Sequence, residues 1–209
     1  MSEQQTESTE KRIKERWKEL PYLYKIQLWS YLIAGICGAI SYPLTTKVIY
    51  SSVEVDILAE RMLLSSLIGL GLSYLWLTIQ ERMFKHFILF TLIEFFSYLS
   101  LVVYVIVCQD YDNYLIWSTI LGATIGHVVA GGGQKLHQKI TDNEQDRTDY
   151  LFFIEIISSI GVLIGSGVAY IGGFGIVVAF ILLLISIVFF QMTDIYVYCK
   201  VKERKNEQM

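Results

Sequence analysis

Few side chains in this sequence are placed to do chemistry, and one of them sits where ionisable groups are rare. Glu94 lies near the middle of an apolar run from Phe87 to Val107, with Thr91 three residues before it and Tyr98 four after it. Helical spacing puts the three on one face. At 1.5 Å per residue, the Glu94 backbone is about 12 Å from a boundary at His86. A carboxyl at that depth is costly unless it faces a polar cavity or a partner group. Two readings follow: a proton-carrying group in a transport path, or a protonated acid hydrogen-bonded to a neighbouring helix. His127, Glu155 and Asp194 fall within a turn or two of the same boundary. Glu155 and Asp194 are candidates to hold Arg82 or Lys85, either as a gate latch or as a plain boundary ion pair. His127 reads as an interfacial residue or a proton relay.

No combination of residues supports catalysis. There is no His-Glu-x-x-His, no Ser-His-Asp set at compatible depths, and no pair of acids on one helix. The chain is therefore read as not an enzyme, with no cofactor and no metal site. Cys37 and Cys108 fall within or at the end of apolar runs, where a thiol acts as a small hydrophobe. Cys199 sits beside Lys200 and Lys202, as a free thiol or a site of reversible acylation. Gly131-Gly132-Gly133 lacks the Gly-Lys-Ser/Thr ending of a phosphate loop. It is read instead as the break that ends the fourth apolar helix, followed by a short interfacial helix that brings Leu136 and Ile140 together.

These residues need apolar elements to hold them. The 209 residues are 54% hydrophobic and only 18% charged, against about a quarter charged in a soluble domain. Six membrane spans are expected, near Ile26–Thr46, Ile57–Ile79, Phe87–Val107, Tyr114–Ala130, Leu151–Ile171 and Phe174–Tyr198. Each is about long enough to cross a ~30 Å hydrocarbon core, the fourth being short. Gly172 and Gly173 make a tight hairpin of the last two. Residues 1–25 form a cytoplasmic leader, 26–198 the transmembrane domain and 199–209 a basic tail. In the leader, Ile13, Trp17 and Leu20 share one face of a helix from Lys11 to Leu20 that Pro21 ends. That helix either lies in the headgroup region or is a solvated basic segment. A removable signal peptide is not expected, since the first apolar run follows more than twenty polar residues. Trp29, Tyr50, Trp76, Tyr114 and Tyr198 mark an aromatic belt.

Charge tests the span count independently, because cytoplasmic connections collect Lys and Arg. Fifteen of the seventeen basic residues fall in the leader, the second-to-third connection, the fourth-to-fifth connection and the tail. Only Lys47 and Arg61 fall on the other side, and Gln109 to Asn113 holds acids without a base. An even number of spans with both termini inside satisfies every connection. The expected location is the plasma (cytoplasmic) membrane, a cell inner membrane, with membrane lipid as the surrounding partner. No basic stripe on an ordered domain points to nucleic acid.

Small residues recur at four-residue spacing: Ser118, Gly122, Gly126 and Ala130 in the fourth span, and Gly161, Gly165 and Ala169 in the fifth. In lipid such residues let helices approach closely. They serve either packing inside this bundle or an interface with another subunit.

With these motifs in place, the arrangement resembles the amino-terminal six-helix half of a major facilitator superfamily transporter, over about residues 25 to 200. That family carries a signature of the type Gly-x-Leu-x-Asp-Arg-x-Gly-Arg-Arg between its second and third spans. Glu81-Arg82-x-Phe84-Lys85-His86 matches its charged skeleton, with Leu77 and Phe84 where the glycines stand and Glu81 for the aspartate. Gly161 to Ala169 follows the spacing of the glycine-rich fifth span of the family's antiporters, with Ser166 at the proline position. The resemblance implies an all-α six-helix bundle with Glu81, Arg82 and Lys85 bracing the cytoplasmic face. It implies a carrier, working as a homodimer or with a second six-span subunit, in proton-coupled export of a small molecule or peptide of unknown identity. The competing expectation is a membrane partner that transports nothing: an immunity, adaptor or assembly protein.

Overall fold

The computed structural model describes residues 13–52 and 54–207. They form helices joined by short turns, without a strand among the described residues. A short helix α1 over 13–19 leads into α2 (Tyr22–Ser52), α3 (Val55–Lys85) and α4 (Phe87–Cys108). Next come α5 (Tyr111–Leu121), a π-helical turn (Gly122–Gly126) and α6 (His127–Ile140), and then α7 (Glu144–Gly172) and α8 (Ile176–Glu207). In hydrocarbon every backbone N–H and C=O must be satisfied within the chain, which selects helices.

Five helical stretches among the described residues are long and apolar enough to cross a membrane: Tyr22–Lys47, Phe87–Cys108, Asn113–Ile140, Glu144–Gly172 and Ile176–Arg204. The chain is an all-helical, multi-pass membrane protein. The expected second span, Ile57–Ile79, lies in α3. Many α3 side chains, those of Glu81 and Arg82 among them, lie outside the described residues, as do the side chains of Tyr50, Trp76 and His127 and all of Lys11 and Arg12.

The turns are set by their residues. Gln109 ends α4 in the left-handed region (φ 55°), its N–H bonded to the Val105 carbonyl. Asp110 then caps α5 by accepting from the Asn113 backbone N–H at 3.1 Å, and also takes bonds from the Asn113 amide and the Tyr104 hydroxyl. These donors, the Asn113 side chain first, hold the Asp110 carboxyl below the usual carboxylate range. Asn143 caps α7 at the Gln145 N–H, and Gly173 (φ +52°) ends it in a conformation open to glycine.

α2 is the axis of the bundle, packed along α7 on one side and α8 on the other; α4 packs on α8, and α5–α6 fill in between α4 and α3. One apolar cluster gathers the start of α2, the α3–α4 junction, the α6–α7 junction and the end of α8, through Leu23, Tyr24, Phe87, Leu136, Tyr150 and Val201. The ends of α2 and α8 nearest the two termini therefore meet at one end of the bundle. A second cluster, Leu101, Val102, Val105, Tyr114 and Phe180, closes the opposite end.

Two expectations are corrected. The triple glycine does not end the fourth helix: α6 runs through it to Ile140, and the irregularity lies earlier, in the π turn. Position 132 takes glycine because the Phe87 ring occupies the space a Cβ would need, and a Cβ added at Gly133 would lie 3.6 Å from Asp194 Oδ2, an ordinary contact. Gly132 thus serves close approach. Leu136 and Ile140 are buried inside the bundle rather than at an interface with lipid. The leader helix packs on the end of the bundle: Arg16 pairs with Asp149 at 3.0 Å, Trp17 meets Phe153 edge-on at 5.1 Å, and Leu20 is buried.

Candidate functional site

The π turn and the small residues around it determine what α4 can face. A π turn admits one extra residue into the helix and is often found at functional sites. Here it opens α5–α6 opposite α4. A Cβ added at Gly122 would lie 3.6 Å from the Tyr98 hydroxyl, and one added at Gly126 would lie 3.5 Å from Glu94 Oε1. The stripe on the fourth span is therefore the shelf on which the two polar side chains of α4 rest. Thr91, the third member of the expected stripe, is turned inward and donates to its own helix, Oγ1 to the Phe87 carbonyl at 2.9 Å.

Glu94 borders a cavity of about 460 Å³ between α2, α4, α6 and α8. Its polar lining includes Tyr31 on α2, His137 on α6, and Ser186, Gln191 and Asp194 on α8. Val129, Ile187 and Phe190 supply apolar wall, and no Lys or Arg stands among the described lining residues. Gln191 donates Nε2 to Glu94 Oε2 at 2.8 Å, joining α8 to α4. Its other atom, Oε1, is buried without a partner.

Beside the cavity, a hydrogen-bonded network ties four helices together. Gln27 on α2 donates to Asp194 Oδ1 at 3.0 Å and accepts from the Tyr150 hydroxyl of α7 at 3.3 Å. That hydroxyl also lies 3.4 Å from His137 Nε2. Tyr24 donates to the His137 carbonyl at 2.8 Å, and its ring stacks on Tyr150 with centroids 4.2 Å apart. Buried polar groups that satisfy one another in this way specify how helices meet.

Asp194 is buried and bonded to Gln27, while Glu155 and Lys85 are exposed; the Arg82 side chain, offered as a partner for either acid, lies outside the described residues. Of the two readings of Gly161 and Gly165, the contacts supply packing inside the bundle. Both glycines meet α2 of the same chain, where Gly35, Leu32 and Ile36 come so close that a Cβ would overlap backbone. Ala169 continues that face beside Ala39 and Pro43.

Sequence reasoning singled out Glu94 but passed over Gln27, Tyr31, His137, Ser186 and Gln191. A signal was present. Gln27, Ser30 and Tyr31 recur at helical spacing in the first span, and Ser186, Gln191 and Asp194 mark one side of the last.

Fold and site together define a multi-pass helical membrane protein with a polar, acid-bearing interior. Comparison with protein-family models, with curated proteins and with solved structures finds no match.

Proposed function

We propose that this chain is a six-span carrier of the cytoplasmic membrane that moves a small solute through the Glu94 cavity, coupled to protons. α3 supplies the sixth span, both termini face the cytosol with the basic connections, and the bundle resembles one half of a major facilitator transporter, working with a second copy or a second six-span subunit. The observation that carries this reading is Glu94 facing a cavity deep in an apolar bundle, hydrogen-bonded to Gln191. A helical protein needing only stability gains little from a carboxyl there. Replacing a buried polar pair with apolar residues is often neutral or stabilising, so the acid is better explained by function.

Everted membrane vesicles bearing the protein, energised to hold an acidic lumen reported by a quenched dye, test this. Addition of a transported solute from a panel of amines, sugars, peptides and carboxylates should dissipate the gradient. Glu94→Gln, which keeps the size and a hydrogen bond to Gln191, should cut that response roughly tenfold or more, a loss typical of a group that moves a proton. Equal responses from wild type and variant, or no response to any solute, would contradict the proposal.

A further inference from the structure

We infer that the cavity binds a small organic cation bearing N–H donors, of the primary ammonium or guanidinium type. This rests on the carrier reading of the cavity and names its substrate class.

The lining is rich in acceptors and poor in positive charge. Two carboxyls, Glu94 and Asp194, border it, and no Lys or Arg stands among its described residues. The decisive atom is Gln191 Oε1. An amide carries one acceptor oxygen and two N–H donors; in Gln191 the nitrogen is committed to Glu94, while the oxygen has no partner although the residue is only 6% exposed. With Glu94 ionised, as an ammonium or guanidinium ligand would find it, its oxygen fixes which way the amide points, since a flipped Gln191 would set two acceptors against each other. A buried acceptor of this kind calls for a donor, and beside two carboxyls the donor that fits is a charged N–H group.

The walls choose between an inorganic and an organic cation. Tyr31 and Phe190, both lining the cavity, pack edge to face with centroids 4.7 Å apart. Aromatic faces attract organic cations, and with Val129 and Ile187 they offer apolar surface that a metal ion cannot use. A volume of about 460 Å³ is in the range of small-molecule pockets. Carboxyls on two sides disfavour an anion.

Calorimetry on the full chain in lipid nanodiscs tests this with three ligands of one shape: 2-phenylethylammonium, 2-phenylethanol and phenylacetate, with sodium and potassium chloride as competitors. The ammonium ion should bind at least about tenfold more tightly than the alcohol, the value of one charge-assisted hydrogen bond, and phenylacetate should not bind. Gln191→Leu should weaken the ammonium ion by about the same factor and the alcohol, whose neutral O–H makes a weaker bond, by clearly less. Equal binding of ammonium and alcohol, preference for the carboxylate, displacement by sodium or potassium at equal concentration, or no binding at all would each overturn the inference. Those wild-type outcomes do not depend on any variant folding. Ammonium binding without gradient dissipation in vesicles would defeat the carrier reading alone; dissipation by a sugar or a carboxylate, with no ammonium binding, would defeat this inference alone.

Discussion

Replacing Gly165 with leucine is expected to lower the stability of the bundle by about 3 kcal/mol, the upper end of ordinary overpacking costs. The α2–α7 crossing leaves no room. A Cβ at Gly161 would lie 2.6 Å from the Leu32 carbonyl oxygen, and one at Gly165 would meet the Ile36 carbonyl more closely still, with Ala39 Cβ at 2.9 Å. The two carbonyls are backbone atoms of a packed helix, and neither they nor the Ala39 methyl can swing aside, so the two helices must separate along their length. Alanine at Gly165 gains up to about 1 kcal/mol of helix propensity, less than the clash costs, and should also destabilise. Gly167 is the control: nothing lies within 4 Å of its added Cβ, and Gly167→Ala should be neutral or slightly stabilising. Equilibrium unfolding in mixed micelles gives the comparison. Because the contact is within one chain, the loss should not change on dilution. A stable Gly165→Leu protein, or one whose defect vanishes at high protein concentration, would contradict the crossing described here.

The second large effect is expected at Asp194. Leucine there removes the acceptor of the Gln27 amide and strands a donor in a residue only 1% exposed. Stranding a buried donor costs about 2 kcal/mol. Asp194→Asn keeps an oxygen for Gln27 and should cost well under half of that. The double variant Gln27→Leu/Asp194→Leu removes both partners, so it should be more stable than the sum of the single losses by about 1 kcal/mol, within the range found for contacting residues. Strict additivity in the same unfolding assay would mean that the two side chains do not meet.

Much of the fold could be read from the sequence because hydrocarbon imposes one-dimensional rules. The apolar runs became helices that reach beyond most of their expected limits, the fourth interrupted by a π turn, and the Gly172–Gly173 pair marked the break between α7 and α8. The basic connections lie at the end of the bundle where α2 begins and α8 finishes. What could not be read was which helix each polar face meets. Periodicity places Gln191 and Asp194 on one side of α8, but their partners, Glu94 and Gln27, come from α4 and α2. That pairing depends on helix rotation, which close glycine approaches at Gly35, Gly132, Gly161 and Gly165 set in three dimensions. The triple glycine misled for the same reason. Glycine reads locally as a helix breaker, whereas in α6 Gly132 lets the Phe87 ring come close.

The claim on which the account turns is that polar space exists inside this bundle, and thiol accessibility in native membranes measures it most directly. With Cys37, Cys108 and Cys199 replaced by serine or alanine, a single cysteine is placed at Ser186, which lines the cavity, or at Ile185, its neighbour on the exposed apolar face of α8. A small charged methanethiosulfonate, applied to both sides of the membrane, should modify the cysteine of Ser186→Cys and leave that of Ile185→Cys unreacted. Equal reaction at the two positions, or reaction at Ile185→Cys alone, would contradict the polar interior.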